Sequence, residues 1–189
     1  MLRIIAGSCK NRQILIPKGS QTRPTSNMLR EALFNICQTY IEGACFLDLY
    51  AGSGAMGIEA LSRGAAHAAF VDASRESISC IKNNVQLLQL ESQSEILSVP
   101  VEMALKKFLK LERKFDIIYA DPPYSSKTSE IKSESAKILK FLNENILLEP
   151  GGHFFIEEGH FSLDSFAPHH LAFVRSRSFG KSHLLEFKF

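Results

Sequence analysis

A glycine-rich turn between an apolar strand and a helix constrains this chain more than any other feature of its sequence. The stretch DLYAGSGAMG, residues 48–57, follows the apolar run ACFL and leads into the helical pattern IEALSRG. Its glycines have the spacing G-x-G-x-x-G, which allows a tight turn and lets a ligand approach the backbone closely. The pattern predicts a cofactor site at the point where a β-strand leads into a helix.

Strands and helices alternate regularly after residue 44. This alternation predicts a Rossmann-like α/β fold with a mostly parallel seven-stranded sheet and helices on both faces. The last two strands are close enough in sequence to form an antiparallel hairpin at one edge of the sheet. The predicted strands are 44–50, 67–72, 94–99, 115–120, 153–158, 171–178 and 183–189.

The N-terminal part of the chain has a different pattern. Residues 2–6 and 12–16 are short apolar runs around the polar turn SCKN, which predicts a β-hairpin. Apolar residues at helical spacing predict a helix over residues 28–41. The length of 189 residues predicts a single domain, with residues 1–25 forming an appended basic hairpin and loop and residues 26–189 forming the core.

Two acidic residues flank the glycine turn. Asp48 precedes it, and Asp72 ends the next predicted strand, where an acid can bind both hydroxyls of an adenosine ribose. A dinucleotide would place its pyrophosphate at the helix N-terminus, whereas S-adenosylmethionine carries cationic groups that Asp48 would attract. Because Asp48 would repel a pyrophosphate, the sequence favours the methyl donor. The alternative role for Asp48 is that of a buried acid that caps the helix.

A second polar group ends the predicted strand FDIIYA. It is the tetrapeptide Asp121-Pro122-Pro123-Tyr124. Prolines end strand pairing because they have no N–H to donate, so one interpretation is a stiff turn with a buried acid. Ligands in such sheets bind at the carboxyl ends of the strands. The glycine turn, Asp72 and this tetrapeptide are therefore expected to converge on one cleft.

These motifs together resemble a known class of enzymes. The stretches DLYAGSGAMGIEALSRGA, VDAS and DIIYADPPY look like a class I S-adenosylmethionine-dependent methyltransferase, and DPPY resembles the [N/D]-P-P-[Y/F] motif of enzymes that methylate exocyclic or amide nitrogens. The segments RIIAGSCKNRQILIP, TRPTSNMLREALFNI and RSRSFGKSHLLEF are similar to the bacterial enzymes that methylate N2 of one guanine in small-subunit (16S) ribosomal RNA. The resemblance covers nearly the whole chain.

The resemblance implies a catalytic role for the tetrapeptide. The Asp121 carboxylate and the Pro122 carbonyl would accept hydrogen bonds from the target amine, the double proline with Pro123 would fix that carbonyl, and Tyr124 would stack on the base. It implies S-adenosylmethionine as cofactor and S-adenosylhomocysteine as product, with no metal because the leaving group is a neutral thioether. The residues expected to bind the cofactor are Asp48, Tyr50, Ala51, Gly52, Ser53, Gly54, Gly57, Asp72, Ala73, Glu102, Met103 and Asp121.

The chain departs from the family pattern at two places. Asn27 stands where the family usually has an acid, and Asn caps a helix as well as Asp does. The usual acid that would face the adenine amine is not obvious, so Glu102 and the backbone near Met103 are the candidates for this contact.

Positive charge is concentrated at both ends of the chain, although the net charge is only +2. If the two ends meet on one face, they form a patch that attracts phosphate backbones; the alternative is a solvated surface. The resemblance implies that the RNA partner is a small ribosomal subunit that is assembled or partly assembled. The residues expected to bind RNA are Arg3, Lys10, Arg12, Arg23 and Arg30.

Other features narrow the function classes. The 4 cysteines and 6 histidines lack metal-ligand spacing, which favours a reduced, cytoplasmic compartment without a zinc site. No apolar run reaches the length of a membrane span, and we expect a monomer. Two alternatives remain open: a DPPY-type N-methyltransferase that acts on DNA adenine or protein glutamine, and a non-catalytic RNA-binding protein with the same fold.

Overall fold

The computed structural model describes residues 2–17, 27–123, 134–159 and 167–189. The helices are α1 (Asn27–Cys37), α2 (Ala55–Ser62), α3 (Arg75–Leu87), α4 (Val101–Lys110) and α5 (Glu134–Glu144). The strands are β1 (Leu2–Arg3), β2 (Gln13–Ile14), β3 (Cys45–Leu49), β4 (His67–Asp72), β5 (Ser94–Ser98), β6 (Phe115–Ala120), β7 (Leu148–Glu158), β8 (Ala172–Phe179) and β9 (Ser182–Lys188).

Seven of these strands form one sheet in the order β5-β4-β3-β6-β7-β9-β8. The strands from β3 to β7 pair in parallel, while β9 pairs antiparallel with both β7 and β8. The predicted α/β fold with an antiparallel C-terminal hairpin is therefore confirmed. Strand β7 begins earlier than predicted, because the EPGG segment is part of the strand.

The strand order places the crevice of the sheet beside β3. Strands β4 and β5 lie on one side of β3, and β6 and β7 lie on the other. The order therefore reverses next to β3, and ligands of open α/β sheets bind at such a switch point, outside the carboxyl ends of the strands. The glycine turn follows β3 at this point.

Alternating side chains build a core on each face of the sheet. Phe46, Phe70 and Phe155 pack with α1, α2 and α3 on one face, which we call the α1 face. Leu47 and Ile118 pack with α4 and α5 on the other. Such two-sided burial explains why the central strands have near-continuous apolar runs rather than alternating apolar and polar residues.

The predicted N-terminal hairpin is present, but it is shorter than predicted. Only Leu2 with Ile14 and Arg3 with Gln13 form ladder pairs, in a two-stranded sheet of its own. A two-stranded hairpin is marginally stable alone, so the contacts with the rest of the protein decide whether it forms.

Helix α2 provides those contacts. The carboxylate of Glu59 accepts hydrogen bonds from the N–H groups of Ile5 (2.8 Å) and Ala6 (3.0 Å). The next residue, Gly7, has φ +81°, and a Cβ there would lie 1.6 Å from the carbonyl oxygen of Ser62. Only glycine allows this approach, so the hairpin is held directly against α2.

The helices of the described part of the chain include none that is long and apolar enough to cross a membrane.

Candidate active site

Asp48 stabilises the glycine turn through a buried hydrogen bond. This residue is 1% exposed, and its Oδ2 accepts a hydrogen bond from the N–H of Gly57 at 2.9 Å. A Cβ on Gly57 would lie 2.3 Å from the ring of Phe70, so this glycine lets α2 pack closely on β4. Asp48 thus occupies the alternative role of a buried acid at the helix start, and its contact with a cofactor stays a prediction.

Asp72 joins the carboxyl ends of two neighbouring strands. Its Oδ2 accepts a hydrogen bond from the N–H of Gly52 at 2.9 Å, and its Oδ1 accepts one from the N–H of Ser74 at 2.8 Å. Gly52 and Gly54 have positive φ angles of 55° and 77°, which glycine adopts at little cost. Because Asp72 is only partly buried, its remaining lone pairs can accept hydrogen bonds from a ligand.

Asn84 supports the turn from α3, and the sequence reasoning missed it. This residue is fully buried, and its Nδ2 donates to the carbonyl oxygen of Ser53 at 2.9 Å. Its amide also pairs with Leu15, accepting from the N–H at 2.7 Å and donating to the carbonyl at 3.0 Å. The only sequence signal was an asparagine on the apolar face of a predicted helix.

Asp121 lies at the carboxyl end of β6, beside the glycine turn. Its N–H donates to the carbonyl oxygen of Leu49 at 3.4 Å, so the tetrapeptide and the turn begin from neighbouring strands, as predicted. Burial raises the pKa of Asp121 to about 7, and the negative charge of Glu157 contributes to the rise. Pro122 is buried and Pro123 is exposed, while Tyr124 lies outside the described residues.

Glu157 is a second acid at this edge that the sequence reasoning did not single out. It lies near the end of β7, is 8% exposed, and accepts a hydrogen bond from the Tyr119 hydroxyl at 3.2 Å. The signal was available in HFFIEE, because an acid after an apolar run at a strand end matches the pattern that identified Asp121.

Four further candidates for cofactor binding surround the turn. The hydroxyl of Tyr50 donates a hydrogen bond to Glu134 of α5 at 3.1 Å. The pKa of Tyr50 is raised mainly by burial and to a smaller extent by the charge of Glu134. Ala51 donates its N–H to the Val71 carbonyl at 3.1 Å. The remaining two candidates in this set are Ser53, which is buried, and Ala73, which is exposed.

The two candidates for the adenine contact lie in the first turn of α4. Glu102 is 72% exposed and pairs with Lys106 at 2.6 Å, an interaction that lowers the pKa of Glu102. Met103 is 60% exposed. Both side chains are exposed, and a contact of Glu102 or of the backbone near Met103 with the adenine amine stays a prediction.

Among the RNA-binding candidates that the structure describes, it contradicts Arg30. Its side chain is completely buried, so it is not available to RNA. Its Nη2 donates to the carbonyl of Arg3 at 2.6 Å and to Asn27 Oδ1 at 3.0 Å, and its Nε lies 3.8 Å from Glu59. A buried guanidinium needs partners of this kind. Through them, Arg30 connects α1, α2 and the hairpin.

The other basic candidates have different surroundings. Arg3, Lys10 and Arg12 are exposed, and Arg12 donates to the Leu87 carbonyl at 3.1 Å. Arg23 lies outside the described residues. The hairpin is attached to α2 and α3, whereas β8 is the edge strand beyond β7 and β9. The meeting of the two basic ends on one face stays a prediction.

The charges at the turn suit a cationic ligand. Burial raises the pKa of Asp48 well above its ordinary value, and the negative charges of Asp72 and Asp121 contribute to this rise. Three carboxyl groups thus lie close enough to affect one another. A pyrophosphate would be repelled here, and Asp48 already occupies the Gly57 N–H. A sulfonium or ammonium group would instead relieve the repulsion.

Within the described residues, no group of three or more His, Cys, Asp or Glu side chains could hold a metal ion.

The sheet order and the glycine turn with its paired acids define the class I methyltransferase fold. The solved structure described as "Putative methyltransferase yhhF from Escherichia coli" superposes with a TM-score of 0.80 and 27% identity, over 99% of this chain and 97% of that one. A hypothetical protein of Thermus thermophilus gives a TM-score of 0.78 at 26% identity over 98% of both chains.

Sequence comparison defines the family. The family model described as conserved hypothetical protein 95 matches residues 2–188, and the chain belongs to this family. It is 38% identical over 151 residues to "Putative rRNA methyltransferase YlbH" of Bacillus subtilis, covering 80% of this chain and 79% of that protein. It is 32% identical over 160 residues to ribosomal RNA small subunit methyltransferase D of Haemophilus influenzae, covering 82% and 78%. The resemblance proposed from the sequence motifs is confirmed at the level of the family.

Proposed function

We propose that this protein transfers a methyl group from S-adenosylmethionine to the exocyclic N2 of a guanine in small-subunit (16S) ribosomal RNA. The observation that carries the proposal is the convergence of Asp72, the glycine turn and Asp121-Pro122 on one edge of the sheet. The names of the relatives support ribosomal RNA as the substrate class.

The cofactor supplies an electrophilic methyl group on a sulfonium centre. Asp72 would hold the ribose hydroxyls, because its carboxylate stays partly exposed while it fixes the turn. Asp48, Asp72 and Asp121 lie close enough to affect one another, and a bound sulfonium or ammonium group would favour the ionised forms of Asp48 and Asp121. We propose no metal for this site.

Asp121 and the Pro122 carbonyl orient the target nitrogen. The lone pair of an exocyclic guanine amine is delocalised into the ring, so the amine must be held while it pyramidalises. The Asp121 carboxylate accepts one N–H of the amine and the Pro122 carbonyl accepts the other, with Tyr124 stacked on the base. Orientation of this kind can contribute on the order of 7–11 kcal/mol to lowering the barrier.

Access to the amine requires an unpaired or flipped nucleotide. The exposed residues Arg3, Lys10 and Arg12 of the hairpin, with Arg23, would contact phosphates of the surrounding RNA. We propose that the hairpin and residues 26–189 act as one catalytic domain, because Glu59 holds the backbone of Ile5 and Ala6. We also propose a monomeric cytoplasmic enzyme that acts on an assembled or partly assembled small subunit.

One transfer assay tests this function. The protein is incubated with labelled S-adenosylmethionine and unmodified small-subunit ribosomal RNA or small subunits, with Asp121→Ala as the control, and the RNA is digested to nucleosides. Label in N2-methylguanosine with wild-type protein alone supports the proposal. Label only in adenine of DNA or in protein glutamine, supplied in parallel reactions, would establish the alternative, and no label in any substrate would reject the methyltransferase assignment.

A further inference from the structure

The edge strand β8 is exposed along most of its length. Six of its eight residues are exposed and the other two are partly buried. Two arginines on this strand have different surroundings. The Nε of Arg175 lies 2.7 Å from the buried carboxylate of Glu186, so its charge is balanced within the protein. Arg177 is exposed, and within the described residues no hydrogen bond or ion pair is formed by its side chain.

The strand register places Arg177 on the same sheet face as Glu157, the acid near Asp121. Arg177 pairs with Leu184 of β9, and Leu184 pairs with Glu157 of β7. Glu157 in turn is the residue whose charge raises the pKa of Asp121. Residues paired across neighbouring strands point to the same face of a sheet, and Leu184 packs in the core of the α1 face.

The turn between β8 and β9 lies at the edge of the proposed active site. Because β9 runs antiparallel to β7, its first residues pair with the carboxyl end of β7, where His183 faces Glu158. The turn contains Gly180 and Lys181, both exposed. Lys181 and Arg177 thus supply two positive charges, unpaired within the described residues, on the β7 side of Asp121, opposite the side where Asp72 lies.

We propose that Arg177 and Lys181 form a phosphate-binding subsite for the RNA strand next to the target base. The proposal rests on the proposed function, since it assigns the path of that RNA. Three strand spacings of about 4.8 Å separate Asp121 from Arg177, or roughly 14 Å in all. An arginine side chain shortens this gap, so its guanidinium can contact a phosphate of a neighbouring nucleotide while the base reaches Asp121. Arginine suits phosphate because its planar group donates two parallel hydrogen bonds.

A different role for these charges is protection of the sheet edge. Charged side chains on edge strands prevent pairing with other chains. That role predicts association of the variants without any change in RNA affinity. The phosphate subsite predicts loss of RNA affinity by a monodisperse protein.

The test uses the full chain and unmodified small-subunit ribosomal RNA transcribed in vitro. The variants are Arg177→Ala, Lys181→Ala, their combination and Arg177→Lys. Lys110→Ala is the matched control, since Lys110 is an exposed base at the far end of α4. RNA affinity is measured over a range of salt concentrations, together with light scattering, cofactor affinity and single-turnover transfer.

We expect the double variant to bind RNA at least about tenfold more weakly and its salt slope to fall by about 1.4, or roughly 0.7 for each lost contact. Arg177→Lys should keep most of the slope, and cofactor affinity and Lys110→Ala should match wild type. An unchanged slope would overturn the subsite, and so would association of the variants with normal RNA affinity. Failure of the proposed function would be seen separately, as absence of methyl transfer by wild-type protein, because the subsite is judged by binding.

Discussion

Asn84 donates a hydrogen bond to the carbonyl oxygen of Ser53 at 2.9 Å, from the same amide that pairs with the backbone of Leu15. One buried side chain thus connects the glycine turn to the chain leaving the N-terminal hairpin. The proposed cofactor site and the exposed basic hairpin therefore share this support, in addition to their separate contacts.

Replacing Asn84 by Ala should weaken that support. The variant leaves the buried Ser53 carbonyl and the partly buried N–H and carbonyl of Leu15 without their partner, so we expect a loss of about 1–3 kcal/mol in unfolding free energy and weaker cofactor binding. Chemical denaturation and calorimetry measure the two effects. Asn83→Ala is the matched control, because Asn83 is the exposed neighbour in the same helix. Equal stability of the two variants would contradict this role.

Asp72→Ala should lower affinity for S-adenosylmethionine at least about tenfold, because charge-assisted hydrogen bonds to the ribose are worth about 1.5–3 kcal/mol each. The variant also loses the acceptor of the Gly52 N–H. Asp72→Asn keeps an acceptor for that N–H, so its affinity for S-adenosylmethionine should lie between those of wild type and Asp72→Ala. Calorimetric titration that gives one affinity for all three proteins would remove Asp72 from the site.

Asp121→Ala should reduce single-turnover transfer by several orders of magnitude while cofactor binding is nearly unchanged, because its contact with the amine strengthens in the transition state. Asp121→Asn should keep some activity, since its amide oxygen still accepts one hydrogen bond. A melting curve for each variant separates this role from a structural one. A folded Asp121→Ala protein with normal transfer would exclude the catalytic assignment.

The raised pKa of Asp121 predicts a pH dependence with a definite sign. The carboxylate must be ionised to accept from the amine, so kcat/KM should fall as the pH drops below about 7. Removing the neighbouring charge with Glu157→Gln should lower the pKa of Asp121 and shift the profile to lower pH. A profile with the same midpoint in both proteins would show that Glu157 does not influence this group.

Protein stability should have the opposite dependence. The pKa of Asp121 is raised from its ordinary value of 3.8 to about 7 in the folded protein, so its protonated form stabilises the fold. This contribution is complete below about pH 4 and is lost as the pH rises through about 7. Asp121→Asn should therefore melt at a higher temperature than wild type at about pH 8, and the difference should shrink at about pH 5.

Arg30→Met should unfold the protein more easily and leave the salt slope of RNA binding unchanged. Removing one partner from a buried charge cluster costs roughly 3–5 kcal/mol, and Arg63 still pairs with Glu59, so we expect the lower end. Arg3→Ala is the control, because Arg3 is exposed. Arg3→Ala should leave the unfolding free energy unchanged. It should reduce the salt slope of RNA binding by the amount expected for one lost phosphate contact.

The sequence predicted the features that depend on local pattern. Strand and helix alternation, the glycine turn and the position of Asp121 could be read because each follows from periodicity and chain direction. Arg30 was assigned wrongly because charge clustering does not show burial, and its partner Glu59 lies in another helix. Asn84 was missed because its contacts join segments far apart in the chain, so no local spacing records them. Glu157 had a local signal, an acid at the end of an apolar strand, but its proximity to Asp121 depends on the pairing of β6 with β7.

The position of β9 between β7 and β8 has a consequence for synthesis of the protein. Strand β7 contributes Phe154, Phe155 and Glu157, and its second partner is the last strand of the sheet in chain order. A nascent chain that has not yet exposed β9 on the ribosome therefore has β7 as an open apolar edge, which is prone to aggregation. The β7 edge is covered only once β9 is free to pair with it, so a chain truncated before β9 would lack the strand that closes this edge.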